Sequence, residues 1–219
     1  MTCEQAKRWF EPSERNAATT ANVTDADILA NPYRISETDL GSWNDTPVSV
    51  GMIDRGLLPD TTISADHPLP LPTALTSAND QRRIRAAIVQ VLRRASIDGD
   101  ALLSVDETVR NVAKLDLART CIIGADWPAT NREALSGVVD VVEVSTGQSL
   151  ASTPALQLAE IKTREDRLRR ILSSRASKVI APSKPIGNGY SSTRLRRWSK
   201  VRSWQHATPT SDYRAGNRA

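Results

Sequence analysis

Arginines on one predicted helix are the first candidates for chemistry in this chain. Arg82, Arg83 and Arg93 belong to a helix that we predict to begin at Asn79 or Asp80. At 100° per residue, Arg82 and Arg93 fall opposite the apolar face, with Arg83 at its flank. Guanidinium groups neutralise phosphates, so this face could follow a nucleic-acid backbone. An ordinary solvated helix face would give the same pattern, and both interpretations stay open.

A second group of candidates lies on a short helix predicted to follow Asp126. Asn131 and Arg132 are residue types that contact base edges and phosphates. Glu133 and Asp126 weaken this interpretation, because carboxylates repel phosphate. The loop over residues 145–153 contains no Lys or Arg, so we expect it to be structural and not a contact for DNA.

Positive charge is concentrated at the carboxyl end. Residues 1–174 contain 19 Lys+Arg and 24 Asp+Glu, a net of −5, while residues 175–219 contain 10 and 1, a net of +9, which gives the total of +4. This segment places Trp198 and Trp204 among arginines, a mixture that can bind single strands by stacking. Unselective binding of any polyanion by a disordered tail is the alternative.

Motifs for catalysis are missing from the sequence. A phosphate-binding loop requires G-x-x-x-x-G-K-[ST], and the pair Gly187 and Gly189 has no Lys-Ser/Thr behind it. His67 and His206 have no Cys or carboxylate at ligand spacing, and Cys121 is expected to be a buried small hydrophobe. We therefore predict no catalytic residue, no metal and no cofactor in this chain.

The predicted elements around Asn131 and Arg132 follow the order of a winged helix. The long helix ends at Gly99, a second is capped by Ser104, and a third ends near Gly137. Two β-branched or alternating segments, residues 138–144 and 155–161, predict a hairpin. A closing helix follows over residues 162–176. The fold class is therefore mainly α with a small β-hairpin, a winged-helix-like domain and a disordered basic tail.

The amino-terminal part predicts a separate helical segment. Thr2 could cap one short helix, and Thr24 or Asp25 another that ends at Asn31-Pro32. Five prolines between residues 46 and 73 predict an extended connector with at most a short strand or helix turn, in which MIDRGLLPD is apolar enough to pack on a neighbour. We thus expect a helical segment at 1–45, a Pro-rich connector at 46–78, the winged-helix-like domain with its closing helix at 79–177, and a tail at 178–219.

Cysteine usage and hydropathy bear on the compartment. Cys3 and Cys121 are far apart, which suggests neither a disulfide framework nor a zinc site. No apolar run approaches the ~20 residues that span a bilayer, and the first residues lack an apolar secretion core. These features predict a cytoplasmic protein without a membrane partner.

Three segments together resemble a known family. They are ILANPYRISETDLG, DQRRIRAAIVQVLRRASIDGDALLSVDETV and ALQLAEIKTREDRLRRIL, and they are similar to the region that precedes the motor of RecD-type (RecD/TraA-like) DNA helicases. Those enzymes are superfamily 1 ATPases that move 5′-to-3′ on DNA. The resemblance covers roughly residues 2–177, and its clearest elements are Asn31-Pro32-Tyr33-Arg34 and Arg85-Ala86-Ala87, Gly99 with Leu103, and the closing helix.

The chain departs from the family pattern in two places. After NPYR the family has a glycine-flanked hairpin leading into a helix, where this chain has SETDLGSWNDTPVSVGMIDRGLLPD. The ATPase motor expected after the closing helix is replaced by a segment without a phosphate-binding loop. Its Arg/Ser/Trp bias is typical of a GC-rich gene read out of frame, so a truncated or frameshifted gene is one alternative.

The resemblance implies an accessory DNA-binding region of a helicase that lacks its motor. ATP and Mg²⁺ would belong to the missing motor alone. The expected partner is single-stranded or forked DNA, contacted by Arg82, Arg83, Arg93, Asn131 and Arg132. A module that docks on a separately made helicase motor, or a non-functional gene product, remain the alternatives.

Overall fold

Four short helices form the amino-terminal part of the computed structural model, which describes residues 1–19, 21–145 and 152–177. They are α1 (Cys3–Phe10), α2 (Pro12–Ala18), α3 (Asp25–Ala30) and α4 (Tyr33–Thr38). Thr2 caps α1 through a capping box with Gln5, as the spacing predicts. Thr24, one of the two predicted starts of the next helix, caps α3 through a capping box with Asp27. Helix α4 begins directly after Pro32, so the NPYR motif lies at the start of a helix.

The segment expected to be an extended connector contains two helices, and that expectation is wrong. They are α5 (Val50–Leu57) and α6 (Thr61–Asp66). Ser49 caps α5 through its hydroxyl, which accepts from the Met52 N–H at 3.3 Å. Five of its eight residues are buried, among them Ile53 and Asp54. Prolines bracket this helix without entering it, so the apolar segment MIDRGLLPD, expected to pack on a neighbour, does so as part of a helix.

The central helices match their predicted caps closely. Helix α7 (Gln81–Asp98) begins behind Asp80 and ends at Gly99, which has a φ of 104°, a conformation that glycine adopts without strain. A two-residue strand, β1 (Leu103–Ser104), leads into α8 (Val105–Val112). The Ser104 hydroxyl accepts from the Glu107 N–H at 3.2 Å.

The third central helix is broken in two, which corrects the prediction of one continuous helix. Its pieces are α9 (Trp127–Thr130) and α10 (Arg132–Leu135). Asn131 separates them with φ −115° and ψ 36°, values outside the helical region. Each piece is a single turn, anchored in the interior by Pro128 and Leu135 respectively.

The sheet has three antiparallel strands in the order β1-β3-β2. Strand β2 (Val139–Ser145) pairs with β3 (Ser152–Leu158) in a hairpin that runs from Val139 opposite Leu158 to Ser145 opposite Ser152. The central strand β3 also pairs with β1, where Leu103 lies opposite Leu156. The mainly α fold with a small hairpin is confirmed, with β1 as an additional strand. Helix α11 (Ala159–Ala176) follows β3 directly.

Helix α7 contributes to both clusters of buried apolar side chains. Ile84, Ile88 and Leu92 pack with α8, α10 and the sheet. Ala86, on the same helix, packs with Trp9, Tyr33 and other residues of the amino-terminal helices and α5. Residues Met1–Leu172 accordingly form one compact unit, because α7 is buried on two sides.

Two glycines of α5 give opposite expectations for replacement by alanine. A methyl group at Gly51 would overlap the carbonyl oxygen of Asp116, whereas a methyl group at Gly56 would meet no atom within 4 Å. Gly51→Ala should lower the free energy of unfolding by about 1–3 kcal/mol through overpacking. Gly56→Ala should raise it by about 0.5–1 kcal/mol, because alanine has less backbone freedom in the unfolded chain. Urea unfolding followed by circular dichroism measures both, and equal effects would contradict this packing of α5.

Candidate nucleic-acid interface

Arg83 is part of the interior, so it is removed from the candidate DNA contacts. Its side chain is fully buried, and its Nε and Nη2 donate to the two carboxylate oxygens of Asp54 at 2.7 and 3.0 Å. Nη1 donates to the carbonyl of Ala78 at 2.7 Å, and Nη2 also donates to the carbonyl of Arg119. The helical projection placed Arg83 at the flank, where neighbouring helices bury it.

Asp54 is the centre of this buried network. Beyond Arg83 it accepts from the Tyr33 hydroxyl at 2.6 Å and from the Ala118 N–H at 2.8 Å. Burial alone would raise the pKa of Asp54, but the hydrogen bonds from Arg83 and Tyr33 outweigh it and lower the pKa. Burial and the Asp54 carboxylate raise the pKa of Tyr33 far above its usual range. The network therefore holds an ionised carboxylate and a neutral phenol.

Arg82 stabilises the loops before α7. Its guanidinium donates to the carbonyls of Ala30, Pro72 and Ala74 at 2.7–2.9 Å. It also donates to both oxygens of Asp80. Five hydrogen bonds fix this side chain to the protein itself, so Arg82 presents little free guanidinium to a ligand.

Arg93 is half-buried and lies against α4. Its Nη1 donates to the carbonyl of Ser36 at 3.0 Å. Burial lowers the pKa of Arg93, while Glu160 and Glu37 oppose that shift from a distance. The arginine face of α7 thus packs largely on the amino-terminal helices. This also holds for Arg85, which donates to both carboxylate oxygens of Glu37 at 2.8 Å.

Asn131 and Arg132 lie together at the break between α9 and α10. The Asn131 amide donates to the carbonyl of Trp127 and accepts from the Gln81 side chain, each at 3.0 Å. Arg132 is exposed, and it has no ion-pair partner among the residues that the structure describes. Of the five predicted DNA contacts, Arg132 is the most accessible cation.

The charge around Arg132 is mixed. Glu133 and Asp126 are exposed on the same segment. On the neighbouring strand, Asp140 pairs with Lys162 of α11 at 3.5 Å. A phosphate that approached Arg132 would meet one exposed cation on a segment that also exposes two carboxylates, so strong electrostatic attraction is not expected at this surface.

The remaining predicted features do not belong to the candidate DNA surface. Cys121 is buried, and burial raises the pKa of its thiol, which agrees with its expected role in the core. Across residues 1–19, 21–145 and 152–177, no group of three or more His, Cys, Asp or Glu could hold a metal ion. The loop residues 146–151 and the tail arginines and tryptophans lie outside the described residues.

Sequence reasoning missed the acidic partners of the α7 arginines. Asp54 and Glu37 are 29 and 48 positions from the arginines that they bind, so no local spacing connects them. One signal was present: Arg85 lies between Ile84 and the pair Ala86-Ala87, and apolar residues on both sides of an arginine indicate a helix covered on more than one face.

Comparison with protein-family models, with curated proteins and with solved structures finds no match to this chain. Within the described part of the chain, no helix combines the length and the apolar character needed to cross a bilayer.

Proposed function

We propose that this chain is the accessory, motor-less part of a RecD-type DNA helicase and that residues 79–177 form its winged-helix-like DNA-facing module. The observation that carries the fold part is the strand order β1-β3-β2, with α7, β1, α8 and α9–α10 before the hairpin. A winged helix has this arrangement of three helical segments and a small antiparallel sheet. The resemblance in sequence supports the helicase part.

The α9–α10 segment occupies the position of a recognition helix in this arrangement. Pro128 and Leu135 are buried, and α10 packs against α7 and β2, while Thr130 and Arg132 are exposed. Because each piece is one turn long, few side chains can reach a groove at once. This surface therefore suits contact with a phosphate backbone better than base reading.

Replacing Arg132 tests the proposed DNA surface. Arg132→Ala should weaken binding of single-stranded DNA and reduce the log–log salt slope by about 0.7, the value for one phosphate contact. Arg110→Ala is the control, since Arg110 is also an exposed arginine but lies on α8. Fluorescence anisotropy across several salt concentrations measures both affinity and slope.

The tail must be separated from this effect. The measurement is therefore repeated on residues 1–177, which lack nine of the ten basic residues of the carboxyl-terminal segment. Equal slopes for wild type, Arg132→Ala and Arg110→Ala in both backgrounds would contradict DNA contact through α10. If removal of the tail abolishes the salt slope and Arg132→Ala does not change it, the tail is an unselective polycation.

A module that docks on a separately made motor is the second candidate, and one observation favours it. An apolar groove of about 430 Å³ lies on the amino-terminal part, lined by residues that include Phe10, Leu29 and Met52. Phe10 and Leu29 remain more than half exposed, and such patches mark interaction sites. The double variant Phe10→Asp, Leu29→Asp should abolish co-elution with a RecD-type motor and leave DNA binding unchanged. Arg132→Ala should weaken DNA binding and leave the co-elution unchanged.

A further inference from the structure

Two arginines line a cleft of about 210 Å³ where the amino-terminal helices meet the sheet. Arg34 comes from α4 and Arg93 from α7, and the cleft is closed by Gly137 and Val138 before β2 and by Glu160 after β3. All of these elements belong to the compact unit Met1–Leu172. None of the residues that line the cleft belongs to α10 or lines the apolar groove.

Arg93 has unused hydrogen-bonding capacity in this cleft. A guanidinium carries five N–H donors, and within the described residues one of them is used, by the Ser36 carbonyl. No carboxylate of the described chain accepts a hydrogen bond from Arg93, although Glu160, Glu37 and Asp39 act on it through space. A half-buried cation without a directly bound anion is costly, and an anion in contact with it would offset that cost.

Arg34 is also incompletely paired. Its Nη1 is 3.8 Å from Glu37, too far for a hydrogen bond. Both oxygens of Glu37 already accept from Arg85 at 2.8 Å. Glu37 and Glu160 also line the cleft. Glu37 is already bound by Arg85, and Glu160 lies 3.6 Å from Arg164, which leaves Arg34 and Arg93 as the two cations of the cleft without a hydrogen-bonded carboxylate among the described residues.

We propose that this cleft binds a phosphate group through Arg34 and Arg93. Two planar guanidinium forks on neighbouring helices can donate several hydrogen bonds to one tetrahedral oxyanion. The phosphate belongs either to a nucleic-acid backbone or to a small phosphorylated molecule, and the same two side chains would serve both. The proposal does not depend on DNA contact by Arg132.

Inorganic phosphate is the probe for the first test. Titrated into the ¹⁵N-labelled full chain at constant ionic strength, it should give saturable amide shifts at Thr38, Gly137 and Val138 that chloride does not give. Arg34→Ala should weaken this binding about tenfold, the effect expected when charge-assisted hydrogen bonds are lost. Arg94→Ala, an exposed arginine of α7 outside the cleft, should bind as wild type does.

Arg93→Ala should abolish the shifts, with circular dichroism as the check that the variant is folded. Should Arg93→Ala unfold, Arg34→Ala decides the question, because Arg34 is partly exposed and makes one 3.8 Å ion pair. Unchanged phosphate affinity in Arg34→Ala, or shifts confined to residues outside the cleft, would overturn the proposal.

Single-stranded DNA distinguishes the two sources of phosphate. If the group comes from a nucleic-acid backbone, Arg34→Ala should weaken both phosphate and DNA binding, with a smaller salt slope. If it comes from a small phosphorylated molecule, the variant should lose phosphate binding and keep the wild-type affinity for DNA. Both results support the cleft as a phosphate site.

Discussion

Replacement of Asp54 by alanine is expected to lower the free energy of unfolding by about 3–5 kcal/mol. The substitution leaves the guanidinium of Arg83 buried without its counter-ion, and it removes the acceptor of the Tyr33 hydroxyl and of the Ala118 N–H. Urea denaturation at neutral pH, followed by circular dichroism, measures the change. Asp116→Ala is the matched control: Asp116 pairs with Arg55 at 3.2 Å, but its side chain is 89% exposed, so its loss should cost about 1 kcal/mol or less.

In strong acid, the free energies of unfolding of Asp54→Ala and wild type should differ much less than at neutral pH. The pKa of Asp54 is lowered in the folded state, so its stabilising effect is complete above the unfolded-state value of about 4 and is lost as the pH falls through the lower folded-state value. The gap in unfolding free energy at neutral pH should therefore narrow in strong acid. A gap that stays constant would mean that Asp54 acts through packing and not through its charge.

Trp9→Ala is the second substitution with a large expected effect, about 3–5 kcal/mol of unfolding free energy. Trp9 is fully buried and packs in the same cluster as Tyr33 and Ile35, and its carbonyl accepts from Arg15 Nε at 2.8 Å. Removing the indole leaves a cavity where α1 meets the rest of the unit. Thermal or urea denaturation of the purified chain provides the measurement.

Trp43→Ala serves as the control for Trp9→Ala. The Trp43 side chain is 94% exposed, so its removal should change stability by no more than about 0.5 kcal/mol. A single cooperative transition that shifts as a whole in Trp9→Ala is expected, because both clusters share α7. Separate transitions, with the second unaffected, would contradict a shared core.

Local chemistry accounts for the parts of the fold that the sequence predicted. The caps Thr2, Thr24 and Ser104 accept from backbone N–H groups three residues away, so the local sequence reveals them. Gly99 ends α7 because the position needs a positive φ. The β2–β3 hairpin was predicted from a β-branched run followed by an alternating segment, and the two strands pair. The returning strand was predicted over residues 155–161, but β3 spans Ser152–Leu158 and α11 already begins at Ala159.

Tertiary contacts account for the parts that the sequence did not predict. The helical projection of α7 distinguishes one apolar face from one polar face, but α4 and α5 cover part of the polar face with their own carboxylates. Arg83 is therefore an internal residue, although its residue type and its position in the helical pattern are those of a phosphate contact. Helix α5 was missed because prolines lie on both sides of it, and its burial depends on partners distant in sequence.

At the candidate site, too, some features were predicted from the local sequence and others were not. The sequence predicted Asn131 and Arg132 on a third helix between Asp126 and Gly137, and both lie at the break between α9 and α10. The break itself was not predicted, since neither glycine nor proline occupies position 131. The cleft of Arg34 and Arg93 joins residues 59 positions apart, and no motif in the chain connects them.

The two-point attachment of Arg83 to Asp54 and of Arg85 to Glu37 has a mechanical consequence. A planar fork held at both nitrogens resists twisting as well as pulling, and the two arginines lie two residues apart, within one turn of α7. The amino-terminal helices and the hairpin should consequently reorient together as one rigid body. Residual dipolar couplings from the two regions should then fit a single alignment tensor.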